Sequence, residues 1–170
     1  MKSFFEKEDF IFNTRVYQKI VYNNKEDILF KIEDIAEKAT LIMRDYEEKL
    51  SFFKENSEIS KVNRNAAKGF TKVSLDTFEI LKNSTYYSKL TNGIFDITIA
   101  PLVEEWEINS NNPKVLSEKK VKELKTLVDY EDVILNENNL SVMLLRENQK
   151  IDLGGIAKGY IADKIIEFYK

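Results

Sequence analysis

The segment from Glu26 to Leu50 carries apolar residues at Ile28, Ile32, Ile35, Ala39, Ile42 and Tyr46, in steps of four and three. That spacing puts them on one stripe of an α-helix. A one-sided helix gets most of its stability from packing, so the stripe must lie against another element. Phe10 to Tyr22 is rich in aromatic and β-branched residues and reads as one strand or a bent pair, with a turn at Asn23-Asn24. Val133 to Leu135 and Leu140 to Leu145 flank the polar Asn136 to Asn139 and read as a β-hairpin. The expected class is α+β, with a mixed or antiparallel sheet packed with helices.

The rest of the chain fills in that frame. Phe52 to Ser60 leaves the long helix and is rich in capping residues; Lys61 to Phe70 reads as loop with short turns. Ser74 is a suitable N-cap for a helix carrying Leu75, Phe78, Leu81 and Leu90, which Gly93 ends. Ile94 to Val103 is an apolar run that contains Asp96 and is stopped by Pro101. Asn109 to Pro113 is a polar loop, and Ser117 caps a short helix with Val121, Leu124 and Leu127. No internal repeat, low-complexity segment or linker interrupts the chain.

One stretch concentrates chemistry: Ile151-Asp152-Leu153-Gly154-Gly155-Ile156-Ala157-Lys158-Gly159-Tyr160. Leu140, Val142 and Leu144 alternate before it, and an amphipathic run from Tyr160 to Phe168 follows, so the order is strand, glycine turn, helix start. A helix start offers free N–H groups and a positive dipole end to a phosphate. Glycine allows backbone to approach a ligand closely. Lys158 adds a positive charge, and Asp152 suits a ribose hydroxyl, a ring N–H or a metal. The lysine precedes its glycine, so this is not a Walker A loop, nor is it Gly-x-Gly-x-x-Gly. Read by physics alone, a plain strand-to-helix turn with a solvated lysine stands equally beside the phosphate reading.

Composition excludes several chemistries. The chain has no cysteine and no histidine among its 170 residues. Disulfides, thiolate metal sites and cysteine nucleophiles are therefore ruled out within it, as is the commonest neutral-pH base. Acid–base work must fall to Asp, Glu, Lys or Tyr, or to another polypeptide, and a bound metal should be a hard cation on oxygen ligands, Mg²⁺ or Ca²⁺. The formal net charge is −3, with both signs mixed along the chain, which disfavours nucleic acid as a partner. Met1 to Asp9 lacks a sustained apolar core, so no signal peptide is expected. No stretch approaches the ~20 apolar residues of a transmembrane segment. The expected location is cytoplasmic.

Three segments in order resemble the FAD:protein FMN transferase family, also known as the ApbE or thiamine-biosynthesis-lipoprotein-like flavin transferases. Ser57-Glu58-Ile59-Ser60-Lys61-Val62-Asn63 is similar to the family's Ser-Glu-Ile-Ser-x-x-Asn element. Gly93-Ile94-Phe95-Asp96-Ile97-Thr98, with Pro101-Leu102-Val103 and Trp106, is similar to its Gly-x-Phe-Asp-x-Thr, Pro-Leu-Val, Trp signature. Asp152 to Tyr160 resembles its Asp-Leu-Gly-Gly-Ile-Ala-Lys-Gly-Tyr signature. The resemblance runs from Phe12 to the end.

It implies FAD as donor, Mg²⁺ as cofactor, and transfer of FMN to a threonine of a target flavoprotein subunit of a redox complex. Some relatives instead hydrolyse FAD to FMN and AMP. Members are often exported and membrane-anchored. By this resemblance Ile94, Phe95 and Asp96 line the FAD site, although Phe95 also suits a core and Asp96 a turn cap. Phe53 falls where an aromatic often stands near the flavin. Phe12 lies at another such position, with Asn13-Thr14 replacing the usual Gly-Thr. Gly154, Gly155, Lys158 and Tyr160 match the loop facing FAD, and Asp152 binds flavin or organises that loop. Ala157 matches the residue whose backbone carbonyl ligates Mg²⁺. Trp106 is assigned to packing.

Family members are about twice this length, and their second half supplies an Asp, a Thr and a His at the site. This chain shows no second Asp-Ala-x-x-Thr element. The implied architecture is therefore the N-terminal portion, 1–170, of an ApbE-like domain, incomplete by itself. A non-catalytic flavin-binding remnant and an Mg²⁺-dependent FAD pyrophosphatase are the alternatives. The helix after Ala157 is expected to leave Ile161, Ile165 and Phe168 as an uncovered apolar face, open to self-association or to the missing half.

Overall fold

The computed structural model describes residues 2–23, 28–107 and 110–170. The chain divides into two compact units, Met1–Glu48 with Lys158–Lys170, and Lys49–Ala157.

The first unit is built on a hairpin. Strands β1 (Lys2–Ile11) and β2 (Thr14–Asn23) pair antiparallel, from Lys2 opposite Asn23 to Ile11 opposite Thr14. The two turn residues, Phe12 and Asn13, have φ of 53° and 54°. Two left-handed residues between strands match the twist of a hairpin. Asparagine tolerates that conformation; phenylalanine does so at a cost. The Phe12 N–H donates to Glu47 Oε1 at 2.8 Å, which helps hold the turn. The predicted pair is thus a hairpin whose first strand begins at Lys2 rather than Phe10. That earlier start is hard to see in the sequence because Lys7 and Asp9 break the apolar alternation of the inner face.

Helix α1 (Ile28–Leu50) follows. The predicted helix start at Glu26 and the turn residue Asn24 lie outside the described residues. The buried face of α1 carries Ile32, Ala36, Ala39, Met43, Tyr46 and Leu50, whereas Ile35 is 39% exposed. The stripe is thus rotated from the predicted one, because Thr40 belongs to it. Thr40 is 2% exposed, and its hydroxyl accepts from Lys7 Nζ and Gln18 Nε2, both at 2.9 Å. The hydroxyl proton has Asp9 Oδ2 at 2.9 Å as acceptor. Both lone pairs and the proton are used, so the buried oxygen is satisfied.

Helix α6 (Ala157–Phe168) carries the C-terminal part of this unit. Tyr160 meets Tyr46 edge-to-face, with centroids 6.1 Å apart. The Tyr169 hydroxyl donates to Gln18 Oε1, and burial pushes its pKa up. Ile161 and Ile165 are 5% and 8% exposed, so the expected bare apolar face is corrected: it is covered, and only Phe168 stays partly open. Gly159 lies in this helix with nothing within 4 Å of where a Cβ would stand. Gly159→Ala should therefore stabilise the protein by ~0.5–1 kcal/mol, seen as a higher melting temperature. A lower one would show that the position needs glycine for another reason.

The second unit packs helices with a small sheet. Strands β3 (Thr71–Lys72), β4 (Val133–Asn136) and β5 (Ser141–Leu144) are antiparallel in the order β3-β5-β4, and β4-β5 is the predicted hairpin. Helices α2 (Glu58–Arg64), α3 (Leu75–Leu90), α4 (Ala100–Trp106) and α5 (Glu118–Lys125) complete it. Ile59, Phe78, Ile80, Leu81, Ile97, Val142, Leu144, Ile151 and Leu153 are buried. Ser74 and Ser117 cap α3 and α5 as expected. Leu75 and Leu90 are exposed, so α3 buries Ile80 in their stead.

Two local expectations are corrected. Lys61 to Arg64 is helix rather than loop, because Ser57 caps α2 by accepting from the Ser60 N–H at 2.9 Å. Pro101 does not stop a run; it sits in the first turn of α4, where a missing N–H costs nothing. Asn109 of the predicted polar loop lies outside the described residues. Among the described residues no helix is long and apolar enough to cross a membrane.

Candidate functional site

The chemistry-bearing stretch is not a continuation of β5. Residues 145–156 intervene as loop before α6 begins at Ala157. Two anchors in the second unit set the path of that loop. Asn63 donates through Nδ2 to the Ile151 carbonyl at 3.0 Å and accepts the Ile151 N–H on Oδ1 at 2.8 Å. The Asp152 N–H donates to the Ile97 carbonyl at 2.8 Å. Ile151 and Leu153 are sunk in the core on either side. Asp152 Oδ1 then accepts the Gly154 N–H at 2.9 Å, closing a local turn. Asp152 thus organises the loop.

The facing segment is held as firmly. Asp96 Oδ1 accepts from the Thr98 N–H at 2.8 Å and the Thr98 hydroxyl at 2.6 Å, and Oδ2 accepts from the Tyr130 N–H at 3.0 Å. The Thr98 hydroxyl oxygen accepts the Asp129 N–H at 2.8 Å. Asp96 caps the short 3-10 turn Ile97–Ile99 and ties it to the 129–130 segment. Behind it Gln149, fully buried, donates to Asp132 Oδ2 at 3.1 Å, and Arg146 Nε pairs with the same carboxylate at 2.7 Å.

These anchors bring Phe95 against Gly155. A Cβ on Gly155 would stand 3.2 Å from Phe95 Cε2, closer than a comfortable contact. The backbone of Gly155 is not left-handed, so the glycine serves close approach rather than turn geometry. No described residue accepts the Gly155 N–H, and Gly154 and Gly155 are both exposed. Beside them Ile94 is 91% exposed. The result is an apolar ring edge, a stretch of backbone bare of side chains and an open N–H on one surface. Such a surface can receive a flat aromatic ligand that carries an acceptor.

The remaining site candidates are distributed as follows. Phe53 is 61% exposed and meets Phe52 edge-to-face at 5.2 Å. Ala157 is buried, opens α6, and donates its N–H to the Leu153 carbonyl at 2.8 Å. Phe12, Lys158 and Tyr160 belong to the first unit. There Phe12 is the half-buried turn residue, and Tyr160 packs on Tyr46 with Lys164 Nζ 5.2 Å from its ring centroid. Lys158 is exposed in the first turn of α6, a turn without acidic residues. Trp106 is half-buried at the end of α4.

Sequence reasoning missed Asn63, Thr98 and Gln149 as individual anchors. Thr98 carried a signal as a polar residue in the apolar run 94–103, whereas Asn63 and Gln149 stand among other polar residues and carried none. Asn63 ends the Ser57–Asn63 element, whose other members also prove structural: Ser60 Oγ donates to the Phe52 carbonyl at 3.1 Å, and Glu58 Oε2 accepts from the Ser74 N–H at 3.0 Å. Among the described residues no group of three or more Asp, Glu, His or Cys side chains is placed to hold a metal ion. Mg²⁺ demands near-octahedral oxygen coordination, which one alanine carbonyl does not supply. The described residues therefore do not fit a complete magnesium site.

Known proteins resemble this chain. The model of the ApbE family matches residues 12–170. The FAD:protein FMN transferase of Klebsiella pneumoniae is 28% identical over 162 residues, covering 93% of this chain and 51% of that protein. That of Haemophilus influenzae is 26% identical over 153 residues, covering 87% and 44%. The crystal structure of the ApbE protein from Thermotoga maritima superposes with a TM-score of 0.86 at 31% identity, covering 98% of this chain and 52% of that one. The flavin transferase ApbE of Vibrio cholerae shares the fold at the same TM-score of 0.86, with 17% identity, covering 99% of this chain and 53% of that one. The class is thus an α+β fold of the ApbE type. The chain belongs to the ApbE family, and it spans about half the length of the curated relatives it matches.

Proposed function

We propose that this chain is the N-terminal portion, residues 1–170, of a flavin transferase that takes FMN from FAD and passes it to a threonine of a target flavoprotein. The observation that carries the reading is the close approach of Phe95 to the Gly155 backbone, in a chain whose match to the ApbE family runs from residue 12 to 170. Ile94, Phe95 and the Gly155 N–H would receive the flat flavin, and Asp96, Asn63 and Asp152 position them. Phe53 would add an exposed ring to the same ligand. Lys158, in the first turn of α6, would meet the phosphates together with the positive end of the helix dipole. The resemblance adds Phe12 and Tyr160 to the residues that would receive FAD. Dependence on Mg²⁺ rests on the resemblance: the Ala157 carbonyl would be one ligand, and the others would come from beyond these residues.

The reaction consumes the pyrophosphate bond of FAD and leaves AMP, so the test is direct. The full-length protein incubated with FAD, Mg²⁺ and an acceptor flavoprotein should release AMP and leave flavin covalently on the acceptor. AMP release with no covalent flavin would make it a pyrophosphatase; FAD binding with neither product would make it a non-catalytic flavin module. Lys158→Gln should weaken FAD binding roughly tenfold, the usual scale for losing a charge-assisted hydrogen bond. An unchanged dissociation constant, measured by flavin fluorescence on a folded variant, would remove Lys158 from the phosphate site.

A further inference from the structure

The outer face of α2 bears a groove unlike the rest of the surface. Lys61, Arg64 and Lys68 line it together with Phe70, Asn65 and Thr71, around about 400 Å³. All three cations are exposed, as Phe70 is at 45%. Many cations of this chain are matched to carboxylates: Lys7 with Glu37, Lys38 with Asp34, Lys82 with Glu137, Lys150 with Glu104, Arg146 with Asp132. Lys61, Arg64 and Lys68 have no carboxylate partner among the described residues. Arg64 donates through one terminal nitrogen to the Glu55 carbonyl at 2.6 Å, and Lys68 Nζ donates to the Arg64 carbonyl at 3.0 Å. The arginine is thereby oriented with donors to spare, since a guanidinium carries five. The dipole of α2 accounts for cations in its last turn, Lys61 and Arg64. It does not account for Lys68 beyond the helix or for the exposed ring beside it.

We propose that this groove docks an acidic segment of the protein acceptor, with Phe70 taking an apolar side chain from that segment. The proposal rests on the transferase reading above. Two observations favour a polypeptide occupant. The chain is acidic overall, with a formal net charge of −3, so an acidic partner is repelled generally and steered to the cations that lack a carboxylate. The groove also backs onto the site. Lys61 and Arg64 are exposed on the same helix whose Asn63 grips Ile151, so one short element carries both the groove and an anchor of the 151–155 loop. An acceptor threonine presented at that loop would bring its flanking residues toward the helix.

The test uses the full-length protein and a fluorescein-labelled peptide of glutamates with one central phenylalanine. Anisotropy should show binding that weakens as NaCl rises from about 50 to about 200 mM, because exposed charges are screened. K61Q/R64Q/K68Q should raise the dissociation constant at least about tenfold, and flatten the salt dependence, with FAD affinity and AMP release from FAD unchanged. Should the triple variant melt early, K68Q alone should give a smaller loss in the same direction. Equal peptide binding by wild type and variants would overturn the proposal. So would binding to phosphatidylglycerol vesicles with none to the peptide, which would make the groove a membrane contact. AMP release is a separate readout, so failure of the transferase reading is distinguishable from failure of the docking site.

Discussion

Asp96→Ala should lower the melting temperature by roughly 6–12 °C. The carboxylate accepts three hydrogen bonds, from the Thr98 N–H, the Thr98 hydroxyl and the Tyr130 N–H. Hydrogen bonds to a charged group contribute ~1.5–3 kcal/mol each, and they do not add fully. Alanine leaves two backbone donors without partners, so a loss of about 3 kcal/mol is expected, and each kcal/mol shifts a domain of this size by ~2–4 °C. Asp96→Asn should lose about half as much, since its amide oxygen can keep the Thr98 pair while its NH₂ group meets the Tyr130 N–H as donor against donor. FAD affinity should fall in both, because Phe95 precedes the clamp in the chain and moves with it. A thermal melt and a flavin titration decide the matter. A melting temperature held within ~2 °C of wild type, beside a large loss of FAD affinity, would make Asp96 a direct ligand rather than a clamp.

The second large effect is expected at Gly155. A Cβ there would stand 3.2 Å from Phe95 Cε2, and the two γ-methyls of Gly155→Val would reach further over the open backbone. The residue is exposed, so the fold should tolerate the change with a melting temperature close to wild type. FAD affinity should fall tenfold or more, about 1.4 kcal/mol, because the ring shifts and the N–H is shielded. Gly159→Val, where nothing lies within 4 Å of the Cβ position, should disturb FAD binding less. Parallel losses of stability and affinity at both positions would assign Gly155 to folding alone.

Asp96 and Gly155 show how far a sequence carries. Asp-Leu-Gly-Gly was legible as a chemistry-bearing element, Phe-Asp only through the family resemblance, and the helix around Ile32 and Ala39, the β4-β5 hairpin and the Ser74 and Ser117 caps were legible as well. These signals are local: periodicity, turn residues and capping geometry act within a few residues of one another. They determined the α+β class and the place of the loops along the chain.

The partners of each site residue were decided only in three dimensions. Asp96 accepts from the N–H of Tyr130, 34 residues away, a contact that no local pattern shows. Asn63 became the anchor of the site loop through a main chain 88 residues distant. The face of α1 rotated to include Thr40 because Lys7, Asp9 and Gln18, all polar, lie on the inner face of the hairpin and need a buried partner. Ile161 and Ile165, exposed by any reading of their own helix, are covered in the fold. A polar side chain makes its hydrogen bonds with whichever partner the fold delivers, and that partner is set by long-range contacts that no local pattern encodes.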